Sequence, residues 1–189
     1  MKKKDIVRIA RNSGVNLIYF IYCDNANLIR GKATHIDHLD RRIDSGIGLT
    51  VGQQAAYDMD LVASIEGMGT AGEARILPDI NTVDKFVPLP WSPKRAMLIG
   101  DLVNLDMTPW ACPRIFLKTQ ISKASDLGLE IMTGLEPEWY VAKYDPESDY
   151  YKPIENSQSF HSTGFTPYID FIDDLIETLA ILDMKVETY

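Results

Sequence analysis

Two glutamates in the second half of the sequence are the residues best suited to chemistry. They lie in the segment Gly134-Leu135-Glu136-Pro137-Glu138-Trp139-Tyr140. In a β-strand, side chains two residues apart point to the same face about 7 Å apart, so two carboxylates repel each other unless water or a cation screens them. Mg²⁺ and Mn²⁺ prefer carboxylate oxygens and keep positions open for phosphate. The pattern predicts a divalent-cation site at Glu136 and Glu138, with a solvated strand face as the alternative.

The composition is that of a folded, acidic protein. The 189 residues include 27 acidic and 19 basic side chains, the net charge is −8, and 46% of the residues are hydrophobic. This supplies a packed core for one ordinary domain or two small ones. A negative protein is poorly suited to neutralising phosphates, which argues against a nucleic-acid partner. The longest apolar run, Leu17 to Cys23, is too short for a membrane helix and has no signal-peptide pattern, so we expect a cytoplasmic protein without a membrane partner.

The first half of the sequence predicts a small α+β domain that ends near residue 103. Branched and aromatic residues in Asn16 to Cys23 predict a buried strand, which a polar turn joins to a second strand as a hairpin. The other predicted elements are helices at Asp5 to Asn12 and Ile36 to Ile43, and strands near Leu49 to Val51, Glu73 to Leu77 and Arg95 to Leu102. A long functional or interface loop is expected after Val51.

The second half of the sequence carries two predicted amphipathic helices. One runs from Pro113 to Leu127, and the other from Pro167 to about Met184 with Thr166 as its N-cap. Strands are expected at Leu129 to Gly134, Leu135 to Lys143 and Lys185 to Tyr189. A strand directly after the last helix is either an edge strand or the sign of a longer polypeptide.

A glycine pattern in the loop region resembles a dinucleotide-binding motif only superficially. Residues Gly67 to Gly72 fit G-x-G-x-x-G. That motif needs a helix to begin at its third glycine, because the free N–H groups of the helix bind the pyrophosphate. Here the following segment reads as a strand that Pro78 ends. A flexible loop is the preferred interpretation.

Several short motifs follow one another along nearly the whole chain. They are Asp24 to Lys32 with Arg30-Gly31-Lys32, Pro78-Asp79, Leu89-Pro90-Trp91, the strand Ala96 to Asp101, Cys112-Pro113-Arg114 with Leu117, Gly134 to Tyr140, and Val186-Glu187. In this order they resemble the landmarks of glutamine synthetases and the related γ-glutamyl-amine ligases. Asn27 stands where the hairpin of that family has glycine.

The resemblance implies a β-grasp domain at residues 1–103, followed by the first part of a catalytic domain at 104–189. The family reaction uses ATP to phosphorylate the γ-carboxylate of glutamate, and ammonia or a small amine then displaces phosphate. Glu136 and Glu138 would each serve a different Mg²⁺ or Mn²⁺ ion between ATP and glutamate. The catalytic residues are expected beyond Tyr189, and the intact protein is expected to form a homo-oligomeric ring.

One departure from the family pattern bears on the amine substrate. Where typical members have an Asp-Gly-Ser-Ser loop, Val51 to Tyr57 reads Val-Gly-Gln-Gln-Ala-Ala-Tyr. This favours the γ-glutamyl-amine branch, with methylamine or a larger amine, or weakened handling of ammonia.

Since two carboxylates cannot assemble this chemistry alone, we expect the isolated chain to be inactive. A non-enzymatic assembly module is the main alternative, and an ATP-grasp-like ligase lacks support because no phosphate-binding glycine loop precedes a helix.

Overall fold

The computed structural model describes residues 1–57, 61–82 and 86–188. These residues form two compact units, Met1–Ile131 and Met132–Tyr189. The boundary predicted near residue 103 is the one between the two domains of the family that the sequence resembles. It differs from the division into compact units, and it stays a prediction.

The first unit is an α+β fold built on one mixed sheet. Its elements are α1 (Lys3–Asn12), β1 (Leu17–Cys23), β2 (Ile29–His35), α2 (Ile36–Ser45), β3 (Ile47–Thr50), β4 (Glu73–Pro78), β5 (Arg95–Val103) and α3 (Pro113–Asp126). The strand order is β2-β1-β5-β4-β3. β1 pairs with β5 in parallel and with β2 antiparallel, and β4 pairs antiparallel with both β5 and β3.

The core of the first unit lies between one face of the sheet and the helices α1 and α2. Alternate residues of β1 and β5 are buried, because successive side chains of a strand point to opposite faces of the sheet and one face packs on the core. The fully buried side chains include Phe20 from β1, Leu39 from α2 and Ile76 from β4. The opposite face of the sheet carries the exposed Met97 and Ile99. Helices α1 and α2 therefore cover one side of the sheet.

The second unit contains a small hairpin and one helix. Its elements are β6 (Ala142–Asp145), β7 (Tyr150–Pro153) and α4 (Ile169–Ile181), with a 3-10 helix at Ser162–Tyr168 directly before α4. β6 and β7 pair antiparallel. Among the described residues, every helix of either unit is too short or too polar to cross a bilayer.

The elements predicted for the first unit are confirmed within a few residues. The glycine pattern at Gly67 to Gly72 leads into β4 and not into a helix, so the dinucleotide motif is correctly rejected. The strand predicted at Glu73 to Leu77 is that same β4. The loop predicted after Val51 begins as a 3-10 helix at Val51–Ala55, and its residues 58–60 lie outside the described part.

Four predictions for the second half are wrong in whole or in part. Residues 129–141 form no strand, and only the end of the predicted strand, at Ala142 and Lys143, belongs to β6. A strand needs a row of hydrogen bonds to a neighbour, whereas the described backbone bonds of this segment are isolated: the Leu129 amide donates to the Ala124 carbonyl, and the Val141 carbonyl accepts from the Ile154 amide. Residues 185–188 are likewise not a strand, while residue 189 lies outside the described part. The residue before α4 is Tyr168, and not the predicted N-cap Thr166, because a 3-10 helix precedes α4.

Candidate functional site

The two predicted metal ligands lie in an exposed, irregular segment of the second unit. Glu136 and Glu138 are both exposed and belong to no strand. The residue that follows them, Trp139, packs edge-on against Phe171 of α4 with a ring-centroid distance of 5.6 Å. The acidic pair thus stands directly before a point where the segment is fixed to the helix.

The pair alone is a partial ligand set for a divalent cation. Mg²⁺ takes about six oxygen ligands, of which several are usually water and phosphate. The described residues hold no group of three or more His, Cys, Asp or Glu side chains arranged to bind a metal. Two exposed carboxylates can supply part of the ligand set of a hard cation, and other groups would have to supply the rest. Metal binding at Glu136 and Glu138 stays a prediction.

Three of the sequence landmarks converge on one ionic cluster in the first unit. The Arg114 guanidinium donates to Asp79 at 2.9 Å and to Asp101 at 2.6 Å. Lys118 donates to the same two carboxylates, at 2.5 Å and 2.6 Å. Asp79 follows β4, Asp101 lies in β5, and both cations lie on α3. We call these four residues the α3 clamp, because they join the helix to the sheet.

The α3 clamp keeps its four charges paired beside β4 and β5. Burial raises the pKa of Asp79, but hydrogen bonds from Lys118 and Arg114 outweigh it, so the pKa lies below its usual range. Burial lowers the pKa of Lys118, and the bonds to Asp101 and Asp79 reverse this to a net increase. Sequence reasoning singled out three of the four residues but missed Lys118. Its position four residues after Arg114 places both cations on one helix face, and that spacing was the available signal.

A second polar cluster fixes the turn of the β1–β2 hairpin. The Asp24 side chain is 1% exposed and accepts hydrogen bonds from the Ala26 and Leu28 amides at 2.9 and 2.8 Å. The Arg30 side chain forms an ion pair with the same carboxylate. Burial raises the pKa of Asp24, but the hydrogen bond from Arg30 and the backbone bonds lower it to a value below the usual range. A buried charge therefore organises the hairpin that carries the Arg30-Gly31-Lys32 motif.

The segment that departs from the family pattern is attached to the same hairpin. The buried Gln54 accepts a hydrogen bond from the Asn25 amide at 3.2 Å through its side chain, and the Asn25 side chain donates to the Gln54 carbonyl at 3.1 Å. This pair of bonds spans 29 residues of sequence. Gln54 thus serves as an anchor for residues 51–57, a role that no sequence motif indicated.

The comparison with known families identifies the chain. The glutamine synthetase N-terminal domain matches residues 1–110, which is more than half of the sequence. The chain therefore belongs to the glutamine synthetase family. This confirms the family that the order of the motifs indicated.

Curated relatives agree with this family. A glutamine synthetase of Mycobacterium bovis is 25% identical, over 98% of this chain and 41% of its own length. A γ-glutamylanilide synthase of Acinetobacter sp is 26% identical, over 69% of this chain and 28% of its own length. The chain thus spans about two fifths or less of the relatives that it matches.

Solved structures show the same fold. A crystal structure described as a novel glutamine synthase homologue is 26% identical with a TM-score of 0.59, over 88% of this chain and 38% of that one. A complex of GmaS with ADP has a TM-score of 0.69 at 16% identity, over 94% of this chain and 39% of that one. At that identity the second match shows the fold alone. The α+β fold of the family therefore extends beyond the residues that the N-terminal domain matches.

Proposed function

We propose that this protein, in its full-length form, is an ATP-dependent ligase that joins glutamate to ammonia or an amine. Membership of the glutamine synthetase family is the observation that carries the proposal. In this proposal residues 1–103 are the β-grasp domain and residues 104–189 begin the catalytic domain. The enzyme acts in the cytoplasm as a homo-oligomeric ring.

The proposed reaction has two steps. A γ-carboxylate oxygen of glutamate attacks the γ-phosphorus of ATP, the bond to ADP breaks, and γ-glutamyl phosphate forms. The amine nitrogen then attacks the γ-carbonyl carbon, phosphate leaves, and the nitrogen loses a proton. Glu136 and Glu138 would each hold one Mg²⁺ or Mn²⁺ ion, which would neutralise charge on the transferred phosphoryl group. The other ligands come from outside the described residues.

Between the two kinds of acceptor, we favour an amine larger than ammonia. The segment Val51 to Tyr57 has no acidic side chain, whereas typical members place an aspartate there. Its Gln54 is buried and bonded to Asn25, so it serves as an anchor. A neutral segment at this place lacks the charge that would attract a small ammonium ion. A γ-glutamylanilide synthase is among the similar proteins, at an identity close to that of the glutamine synthetases.

The test is an activity assay on the polypeptide encoded by the complete reading frame. It is supplied with ATP, Mg²⁺, glutamate and, in separate reactions, ammonia, methylamine or aniline. ADP and the γ-glutamyl product are measured. We expect equal amounts of ADP and product, with an amine preferred over ammonia. ATP consumption without any γ-glutamyl product from these acceptors would overturn the proposal.

The same assay on the 189 residues alone tests the expectation that this part is inactive. We expect no product above the protein-free control, because Glu136 and Glu138 are too few ligands for the metal cluster. Robust turnover by these residues alone would show that the chain contains the complete catalytic set.

A non-enzymatic assembly module is the second candidate. The observation that favours it is the sheet face opposite α1 and α2 in the first unit, where Met97 is 36% and Ile99 is 50% exposed. Exposed apolar patches of this kind mark protein interfaces. In that case the chain would join the oligomer of a longer ligase, which light scattering of a mixture of the two proteins would detect. The chain would also not bind Mn²⁺ at all.

A further inference from the structure

The second unit contains a cleft lined by aromatic side chains and one carboxylate. Its volume is about 220 Å³, and it lies between the segment around Trp139, the residues after β7 and the beginning of α4. The lining includes Trp139, Tyr140, Ile154, Glu155, Tyr168 and Phe171. The cleft is smaller than the pockets that hold drug-sized ligands, so it suits a compact molecule.

The cleft presents two hydrogen-bond acceptors to an occupant. The Tyr168 hydroxyl is buried and has no hydrogen-bond partner among the described residues. Burial raises the pKa of Tyr168, and the negative charge of Glu155 raises it further, so the phenol keeps its proton at neutral pH. The Ser157 amide donates to Oε1 of Glu155, which fixes the direction of the carboxylate. The phenol oxygen and the carboxylate can therefore both accept N–H bonds.

The walls add a preference for positive charge. Trp139 and Phe171 are in edge-to-face contact, and both are about half exposed, so parts of their rings are open to the cleft. The faces of aromatic rings carry negative potential and attract cations, most strongly at tryptophan. Ile154 supplies an apolar surface beside them. An occupant with a positive nitrogen and a carbon framework satisfies all these groups together.

We propose that this cleft binds a small organic ammonium ion, with its N–H groups directed at Glu155 and Tyr168 and its carbon part against Trp139 and Phe171. A hard metal ion fits poorly, because it requires about six oxygen ligands and the side chains of the lining offer one carboxylate and the two phenols of Tyr140 and Tyr168. An anion is repelled by Glu155, and a neutral apolar molecule leaves the carboxylate and the hydroxyl unsatisfied.

This inference goes beyond the proposed ligase activity and does not depend on it. Ammonium binding is measured on the 189-residue chain without ATP, glutamate or metal. A failed ligase assay therefore leaves the binding result standing, and the reverse also holds.

The test uses benzylammonium as the probe and benzyl alcohol as its neutral counterpart. Affinities are measured by isothermal titration calorimetry at neutral pH, where the amine carries its proton. The location is measured by NMR of the ¹⁵N-labelled tryptophan indoles, with the Trp139 signal assigned from the Trp139→Phe variant. We expect benzylammonium to shift the Trp139 signal alone and to bind at least tenfold more tightly than benzyl alcohol.

Two variants separate the contributions of the acceptors. Glu155→Gln keeps the shape and removes the charge, and we expect the affinity to fall about tenfold. Tyr168→Phe removes only the hydroxyl, and we expect a loss of about threefold. The matched control, Glu147→Gln, changes an exposed carboxylate outside the cleft and leaves the affinity unchanged. Circular dichroism confirms that each variant is folded.

Three results would overturn the proposal. One is equal affinity for benzyl alcohol, which would make the cleft a generic apolar site. Another is an unchanged affinity in a folded Glu155→Gln variant. The third is the absence of any shift of the Trp139 signal in the original chain, a result that needs no variant.

Discussion

The α3 clamp offers the sharpest test of how the first unit holds together. The change is Asp79→Asn, which keeps the size of the side chain and removes its charge. Asp79 is 8% exposed and accepts charge-assisted bonds from both Arg114 and Lys118. After the change both cations keep their bonds to Asp101. Breaking a buried ion pair costs about 3–5 kcal/mol, and because Lys118 is 41% exposed and partly screened by water, we expect about 2 kcal/mol here.

The assay is thermal unfolding followed by circular dichroism. For a chain of this length, about 2 kcal/mol lowers Tm by about 5 °C. The control is Asp126→Asn, which changes an exposed carboxylate at the end of α3 and should shift stability by less than about 0.5 kcal/mol. The double variant with Lys118→Gln should lose less than the sum of the two single losses, because the residues are directly bonded.

The pH dependence of the same comparison follows from the lowered pKa of Asp79. Because the folded-state pKa lies below the unfolded value of about 3.9, the stabilisation is complete above that value and is lost as the pH falls through the folded-state pKa. The Tm difference between the original chain and Asp79→Asn should therefore be constant near neutral pH and shrink in acid. A difference under about 1 °C at pH 7, or one that grows in acid, would refute the reasoning.

Two further predictions concern the hairpin and a glycine that precedes β3. Asp24→Ala removes a buried carboxylate that pairs with Arg30 and that accepts from two turn amides, so we expect a loss of about 3 kcal/mol in urea unfolding. Asp126→Ala is the near-neutral comparison, and equal midpoints would contradict this. Gly46 has φ of 65° and a Cβ there would stand 2.8 Å from a backbone carbonyl oxygen of β4, whereas Gly14 has φ of 68° and open space. Gly46→Ala should therefore lower Tm clearly more than Gly14→Ala. The Gly14→Ala change costs about 1 kcal/mol from backbone conformation alone. Equal losses in the two variants would contradict the packing argument.

Local patterns were sufficient to predict the elements of the first unit. The Leu17–Cys23 strand is rich in branched and aromatic residues and is buried at every second position. The helix Pro113–Asp126 has proline in its first turn and Gly128 just beyond its end with a positive φ of 72°. Signals of this kind lie within a few residues of the feature that they specify.

The predictions that failed depend on contacts between residues that lie far apart in the sequence. A strand at residues 129–141 would need a partner, and whether one is present is not written in the segment itself. Pro137 and the two glutamates beside it also have low strand propensity, which disfavours a strand at this place. The bonds of Lys118 to Asp79 and of Gln54 to Asn25 span 39 and 29 residues. Contacts of this range depend on the packing of whole elements.

Manganese binding tests the central claim most directly. Mn²⁺ is titrated into the 189-residue chain, and bound ion is measured by electron paramagnetic resonance. The comparison variants are the double change Glu136→Gln and Glu138→Gln and, as control, Glu147→Gln. The account predicts that the original chain and the control bind Mn²⁺ equally and that the double variant loses this binding. Undiminished binding by the double variant, or none by the original chain, would contradict it.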